Sequence, residues 1–252
     1  MSSTLLSVGP ALAVAMVALV ALAVTVSVLG RLGHARAVVT ASARAVVQLA
    51  VVSLALAAIV RVQSLTVAFL AVMYATAALT AGRRMTRERT AAWAAVPIVA
   101  STLPVVVALL LTGVLPTEPL AVIPVTGILI GGAMTACALA GMRGLDELSG
   151  RRGEVEAALS VGLMPRDAAL EIARPAASSS LVPALDQTRT VGLVTLPGAF
   201  VGMLIGGASP VQAGAVQLFV LVALLAVEAA SVALTIELVA RGLVVRPVPE
   251  PS

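Results

Sequence analysis

The sequence contains no lysine, and all sixteen of its basic side chains are arginine. A P-loop NTPase needs the lysine of its phosphate loop, so this chain cannot hydrolyse ATP in that way. Schiff-base chemistry is excluded for the same reason. One cysteine (Cys137) and one histidine (His34) exclude an intrachain disulfide and any zinc cluster of the His/Cys type. A catalytic triad would have to use His34 alone, and no G-x-S-x-G is present. Charge is scarce as well: 11% of the 252 residues are charged against 60% hydrophobic. A soluble domain of this length needs a polar shell that such a composition cannot supply. The net charge of +4 does not point to nucleic acid, because the arginines are dispersed at the ends of apolar runs, where they read as topology signals.

What is present is a series of apolar runs. Several reach the roughly 20 residues that a helix needs to cross a hydrocarbon core of about 30 Å. The pattern predicts an all-α polytopic membrane protein forming one transmembrane domain over 1–252, with seven spans at 11–30, 38–60, 65–82, 91–113, 120–142, 190–208 and 212–240. Pro116 and Pro119 bound the fourth and fifth, and the turn from Gly206 to Pro210 separates the sixth and seventh. No basic residue precedes the first run, which therefore reads as a transmembrane helix rather than a signal peptide. Alternation from an outside N-terminus puts fifteen of the sixteen arginines on the cytoplasmic side and only Arg61 outside. That asymmetry predicts an N-out, C-in orientation, and an even number of spans would break it.

Most acidic residues fall in one long connection, 143–189, predicted to be a cytoplasmic loop. Ala and Leu among the charges suit helix. Gly162 interrupts it, Pro165 fits the first position of a second short helix over about 166–173, and Pro175 is expected to end that helix. On composition alone this is a solvated hairpin.

The residues of the hairpin also match a motif: Glu156-Ala157-Ala158, then Gly162, Ile172 and Pro175. That spacing resembles the cytoplasmic motif of ABC-transporter permeases, with Arg174 where a leucine is usual. Arg44-x-x-x-Gln48-Leu49, Pro124-x-x-Gly127 with Gly131 and Met134, the stretch Val191 to Gly198, and Gly206-Gly207-x-Ser209-Pro210 extend the likeness. Together they resemble the small seven-helix permeases associated with iron export and, in plants, aluminium tolerance. The resemblance implies a non-catalytic subunit in the cell membrane, assembled as a homodimer with two separate ATP-binding subunits. ATP and magnesium would be bound on those subunits and no cofactor on this chain. Glu156, Ala157, Ala158, Gly162, Ile172 and Pro175 would form the coupling element, and a metal ion such as iron would be the cargo. The family's Met-Met-Thr-Gly-Gln is replaced here by Ala199-Phe200-Val201-Gly202-Met203. Two thioethers, a hydroxyl and an amide are therefore missing from those positions.

Polar residues inside spans mark the candidate pathway. A charged carboxylate at a helix centre costs about 2.5–3.5 kcal/mol on insertion scales, so Glu228, mid-way along the last run, is not expected to face lipid. Gln217, Glu228, Ser231 and Thr235 share one helical stripe, which serves either as a pathway or as an inter-helix seam. Arg44 and Gln48 lie one turn apart on the second run, where Arg44 also suits an interfacial anchor. Glu237, on the opposite side and near the cytoplasmic end, is expected to snorkel to water. Met134 and Met203 read as helix packing. The four-residue spacings of Gly127 and Gly131, and of Gly198, Gly202 and Gly206, suit close helix contact within the chain or between two copies. Three functions compete: an ABC permease, a secondary transporter or channel working through Glu228, and, last, a membrane enzyme lacking any evident nucleophile, base or metal-ligand set.

Overall fold

A computed structural model describes residues 9–59, 62 and 65–246. Arg61 lies outside them. The described residues are helical throughout apart from turns and one isolated bridge between Val191 and Thr195. Among the described residues, six helices are long and apolar enough to cross a membrane, against the seven spans that the sequence predicts.

The chain divides into two compact units, 1–63 and 64–252. The first is a hairpin of α1 (Pro10–Leu29) and α2 (Ala35–Ile59). Both present largely apolar, exposed surfaces, as suits helices in lipid, with Arg36, Arg44 and Gln48 as exposed exceptions on α2.

The second unit begins with α3 (Leu65–Met85) and a 3-10 turn, Arg89–Ala94, that leads into α4 (Ala95–Leu111). Its centre is α5 (Pro119–Gly150) and α10 (Pro210–Ala240). These two helices run parallel. Ser231 Oγ donates to the Ala133 carbonyl at 3.0 Å, Gly132 lies against Leu224 and Glu228, and Gly144 lies against Ile236 and Val239. A Cβ on Gly132 would collide with the Leu224 side chain and one on Gly141 with Met85 Sδ, so glycine at both sites lets α5 approach its neighbours closely. Of the four-spaced glycines, only Gly127 is used in this way within the chain. Gly131, Gly198 and Gly202 meet nothing within 4 Å, and only Gly127 touches another helix, at Met73. The ends of α3, α5 and α10 meet at Arg246, whose guanidinium donates to the Met85 carbonyl (3.2 and 3.0 Å) and pairs with Asp146.

Because α5 and α10 are parallel, the chain between them must travel back along their length. It does so in pieces: α6 (Arg152–Ser160), α7 (Pro165–Ser178), a 3-10 turn Ser179–Leu181, α8 (Val182–Thr190), non-helical backbone over 191–197, and α9 (Gly198–Ile205). Its contacts climb α10 step by step. Arg166 meets Glu237, Ala184 and Gln187 stand beside Glu228, and Val191 and Phe200 stand beside Gln217. The stretch expected as a sixth continuous span, 190–208, is therefore not one helix. Gly192 (φ +81°) and Pro197 break it, the first by a left-handed backbone and the second by removing a donor.

Two further expectations change. Pro175 does not end α7 but lies within it, because Ala168, Leu170, Ile172, Ala173 and Ala177 bury a continuous face against α5 and α10, and that packing outweighs the lost N–H. Only α6, which buries no residue, projects freely as the hairpin expectation had it. The turn into α10 matches the sequence reading: Gly207 is left-handed (φ +92°), Ser209 and Gln212 form a reciprocal capping box, and Pro210 takes the first helical position.

Candidate functional site

The four stripe residues of α10 are all buried, but they do different things. Ser231 donates to Ala133 on α5, and Thr235 Oγ1 donates to the Ser231 carbonyl at 2.7 Å. Both hydroxyls are satisfied by backbone, so this half of the stripe is a helix-helix seam. Glu228 and Gln217 are different. Glu228 is nine-tenths buried and makes no hydrogen bond or ion pair with any described residue, and the buried Gln217 Oε1 has no donor. Unpartnered polar groups at such depth are costly unless water, a ligand or another chain reaches them.

Each of the two faces a cavity under the returning segment. Glu228 lines one of about 300 Å³ together with Thr135 of α5, Ser180, and Gln187 of α8. Gln217 lines a smaller one of about 160 Å³, closed by Val191, Gly192, Leu196, Pro197 and Phe200. Phe200 belongs to the stretch where the sequence departs from the resembled pattern, and it presents an aromatic ring where that pattern has donor atoms. The backbone over 191–197 folds on itself: the N–H groups of Leu193 and Val194 donate to the Thr190 carbonyl, and that of Gly192 donates to Thr195. Among the described residues, no backbone N–H donates to the carbonyls of Gly192, Leu193 and Val194. Two separate cavities thus lie along α10, one lined by a carboxylate and one by an amide. Such a lining suits a cation or proton rather than an anion.

Sequence reasoning missed Thr135, Ser180 and Gln187. The signal for Ser180, Ala184 and Gln187 was their spacing of four and three along helical sequence. Asp186 and Arg189 mask that spacing, because they mark the same segment as aqueous.

The motif of the hairpin separates into a tip and an anchor. Glu156 and Ala157 are exposed on α6, Ala158 is half-buried, and Gly162 is exposed with φ +95°, a left-handed conformation that glycine alone adopts without strain. The N–H of Gly162 and that of Leu163 close the end of α6 on the Leu159 and Ala158 carbonyls. Ile172 is buried and fixes α7 in the core, whereas Pro175 is exposed. Arg151 pairs with Glu147 and Glu154, and the hydrogen bond from its guanidinium holds the Glu154 carboxyl below the usual carboxylate range. Arg166 of α7 donates twice to Glu237 of α10 (2.6 and 2.8 Å), and Arg241 shares that carboxylate. Glu237 is thus not a lone snorkelling acid but the clamp between α7 and α10.

Arg44 and Gln48 are exposed on α2 in the first unit, and Arg44 has no ion-pair partner among the described residues. His34 is exposed and bonds only the Leu32 carbonyl. Met134 packs against the core and Met203 is half-buried on α9. Among the described residues no three of His, Cys, Asp and Glu come together as a metal group.

Comparison with known proteins adds a family. The model of the uncharacterised protein family UPF0014 matches residues 11–244. The chain is similar to the UPF0014 membrane protein STAR2 of Oryza sativa subsp. japonica, with 37% identity over 82% of this chain and 74% of the relative. It is similar to Protein ALUMINUM SENSITIVE 3 of Arabidopsis thaliana, with 38% identity over 64% of this chain and 58% of that protein. It also resembles the "Probable iron export permease protein FetB" of Escherichia coli (strain K12), with 34% identity over 49% of this chain and 48% of the relative. No solved structure matches.

Proposed function

The chain belongs to the UPF0014 family of multi-pass membrane proteins, and on that footing we propose that it is the permease subunit of an ABC transporter. In this reading two copies form the membrane pathway in the cell membrane, and two separate subunits bind and hydrolyse ATP with magnesium. The cargo is a metal ion, with iron suggested by the name of the bacterial relative. The chain itself catalyses nothing.

The observation that carries the reading is the α6–α7 hairpin. Its tip, Glu156 to Gly162, buries no side chain, while its second helix is packed into α5 and α10 and clamped by Arg166 to Glu237. A push on the tip is thereby delivered to the helix that carries Glu228. Helix-in-groove docking on a partner suits such a tip. The second copy is supported by Asp186 and Arg189, exposed on α8 beside the depth of Glu228, where facing lipid would be costly.

A second reading, a secondary transporter or channel, is favoured by one observation: Glu228 sits unpartnered in a cavity. The two readings share the pathway and differ in the energy source.

Orientation tests the docking. With Cys137 replaced, cysteines introduced at Arg87 and Arg166 should stay unlabelled by an impermeant thiol reagent in intact cells, and one at Thr117 should label. Outside labelling at Arg166 would put the hairpin on the wrong side for an ATP-binding subunit.

A further inference from the structure

We propose that the cleft between α3 and the start of α4 binds an anionic phospholipid, its phosphate held by Arg83, Arg87 and Arg89 and one acyl chain lying along Ala75, Ala78 and Leu79. The cleft has a volume of about 820 Å³. Its two halves differ in chemistry. The upper half is walled by small apolar side chains of α3 and of the 3-10 turn, which leaves a slot between the two helices. The lower half opens among the three arginines and Thr86, with Glu88 as its single acid. None of Arg83, Arg87 and Arg89 takes part in an ion pair among the described residues, whereas Arg151, Arg166, Arg189, Arg241 and Arg246 all do.

The slot is built rather than incidental. Gly82 lies so close to the Ala91 carbonyl that no Cβ fits, so α3 and the turn cross in backbone contact. Thr86 Oγ1 accepts the Glu88 N–H, which fixes the corner between them. Distance along α3 decides the occupant. From Arg83 up to Ala75 is eight residues, about 12 Å of helix, close to the thickness of one leaflet of a core of about 30 Å. A soluble phosphate would use only the arginine end. A phospholipid uses both ends, with its headgroup at the level where basic residues meet the membrane surface and its tail in the apolar slot. This binding does not depend on what the protein transports.

The test uses the full chain in phosphatidylcholine vesicles with and without phosphatidylglycerol, reading bound phosphatidylglycerol by native mass spectrometry after extraction. Wild type should retain phosphatidylglycerol selectively. Combined Arg83→Gln, Arg87→Gln and Arg89→Gln should lower that affinity at least about tenfold. Arg84→Gln, Arg152→Gln and Arg174→Gln combined, the same charge removed outside the cleft, should leave it near wild type. Ala75→Phe fills the slot while keeping every charge, and it should weaken retention even if the triple arginine variant fails to fold. Equal losses in both arginine triples would show a diffuse surface effect and overturn the proposal. So would displacement of the lipid by inorganic phosphate with Ala75→Phe behaving as wild type.

Discussion

Glu156→Arg and Gly162→Pro should each separate ATP hydrolysis from transport, or release the ATP-binding subunit, while leaving the membrane helices folded. Proline fixes φ near −65°, which cannot replace the +95° of Gly162, so the turn that aims α6 would be rebuilt. Glu156→Arg reverses a charge on an exposed face. The few central side chains of such an interface each contribute about 2 kcal/mol or more, roughly thirtyfold in affinity. Because α6 buries nothing, neither change should lower the melting temperature appreciably. The measurement is co-purification of the partner subunit together with ATP-driven transport. Normal transport by both variants with the partner bound would mean that the motif match is coincidental.

Glu228→Gln should fold and assemble normally yet transport at least about tenfold more slowly, the scale of one charge contact of ~1.4 kcal/mol. The structure sharpens what the sequence left open between a pathway group and a structural one. A structural carboxylate would be hydrogen-bonded to a neighbouring helix, and Glu228 is not bonded to any described residue. Ser231, three residues on, holds the α5 contact instead. Glu228→Ala should therefore also lose transport with little loss of stability, whereas Ser231→Ala should lower stability by about 0.6–2 kcal/mol, the range for a membrane hydrogen bond. Melting temperature and transport, measured on all three variants, separate the roles. A fully active Glu228→Ala protein would remove this carboxylate from the pathway.

The sequence was most legible where one helix carries the whole signal. The stripe from Gln217 to Thr235 could be read because a 3.6-residue period needs only one helix. The capping box at Ser209 and Gln212 is equally local. Features that depend on two segments were hidden. Gly132, Gly141 and Gly144 are glycines against which α10 and Met85 pack, yet their spacing is not the four-residue repeat of Gly198, Gly202 and Gly206. The return path was hidden for a different reason. Asp186, Gln187 and Arg189 look aqueous in isolation, and only the parallel course of α5 and α10 forces that stretch alongside Glu228. Pro175 misled in the same way, since the buried face of α7 outweighs one missing donor.

As proposed, this chain is driven by ATP bound to a different polypeptide. Purified chain, free of co-purifying ATPase, is assayed in proteoliposomes for ATP hydrolysis and metal-ion flux, alone and with a candidate ATP-binding subunit. Background hydrolysis and no ATP-dependent flux are expected for the chain alone, and both activities once the subunit is added. Flux by the chain alone, driven by an ion gradient and indifferent to ATP and to the added subunit, would contradict the proposal.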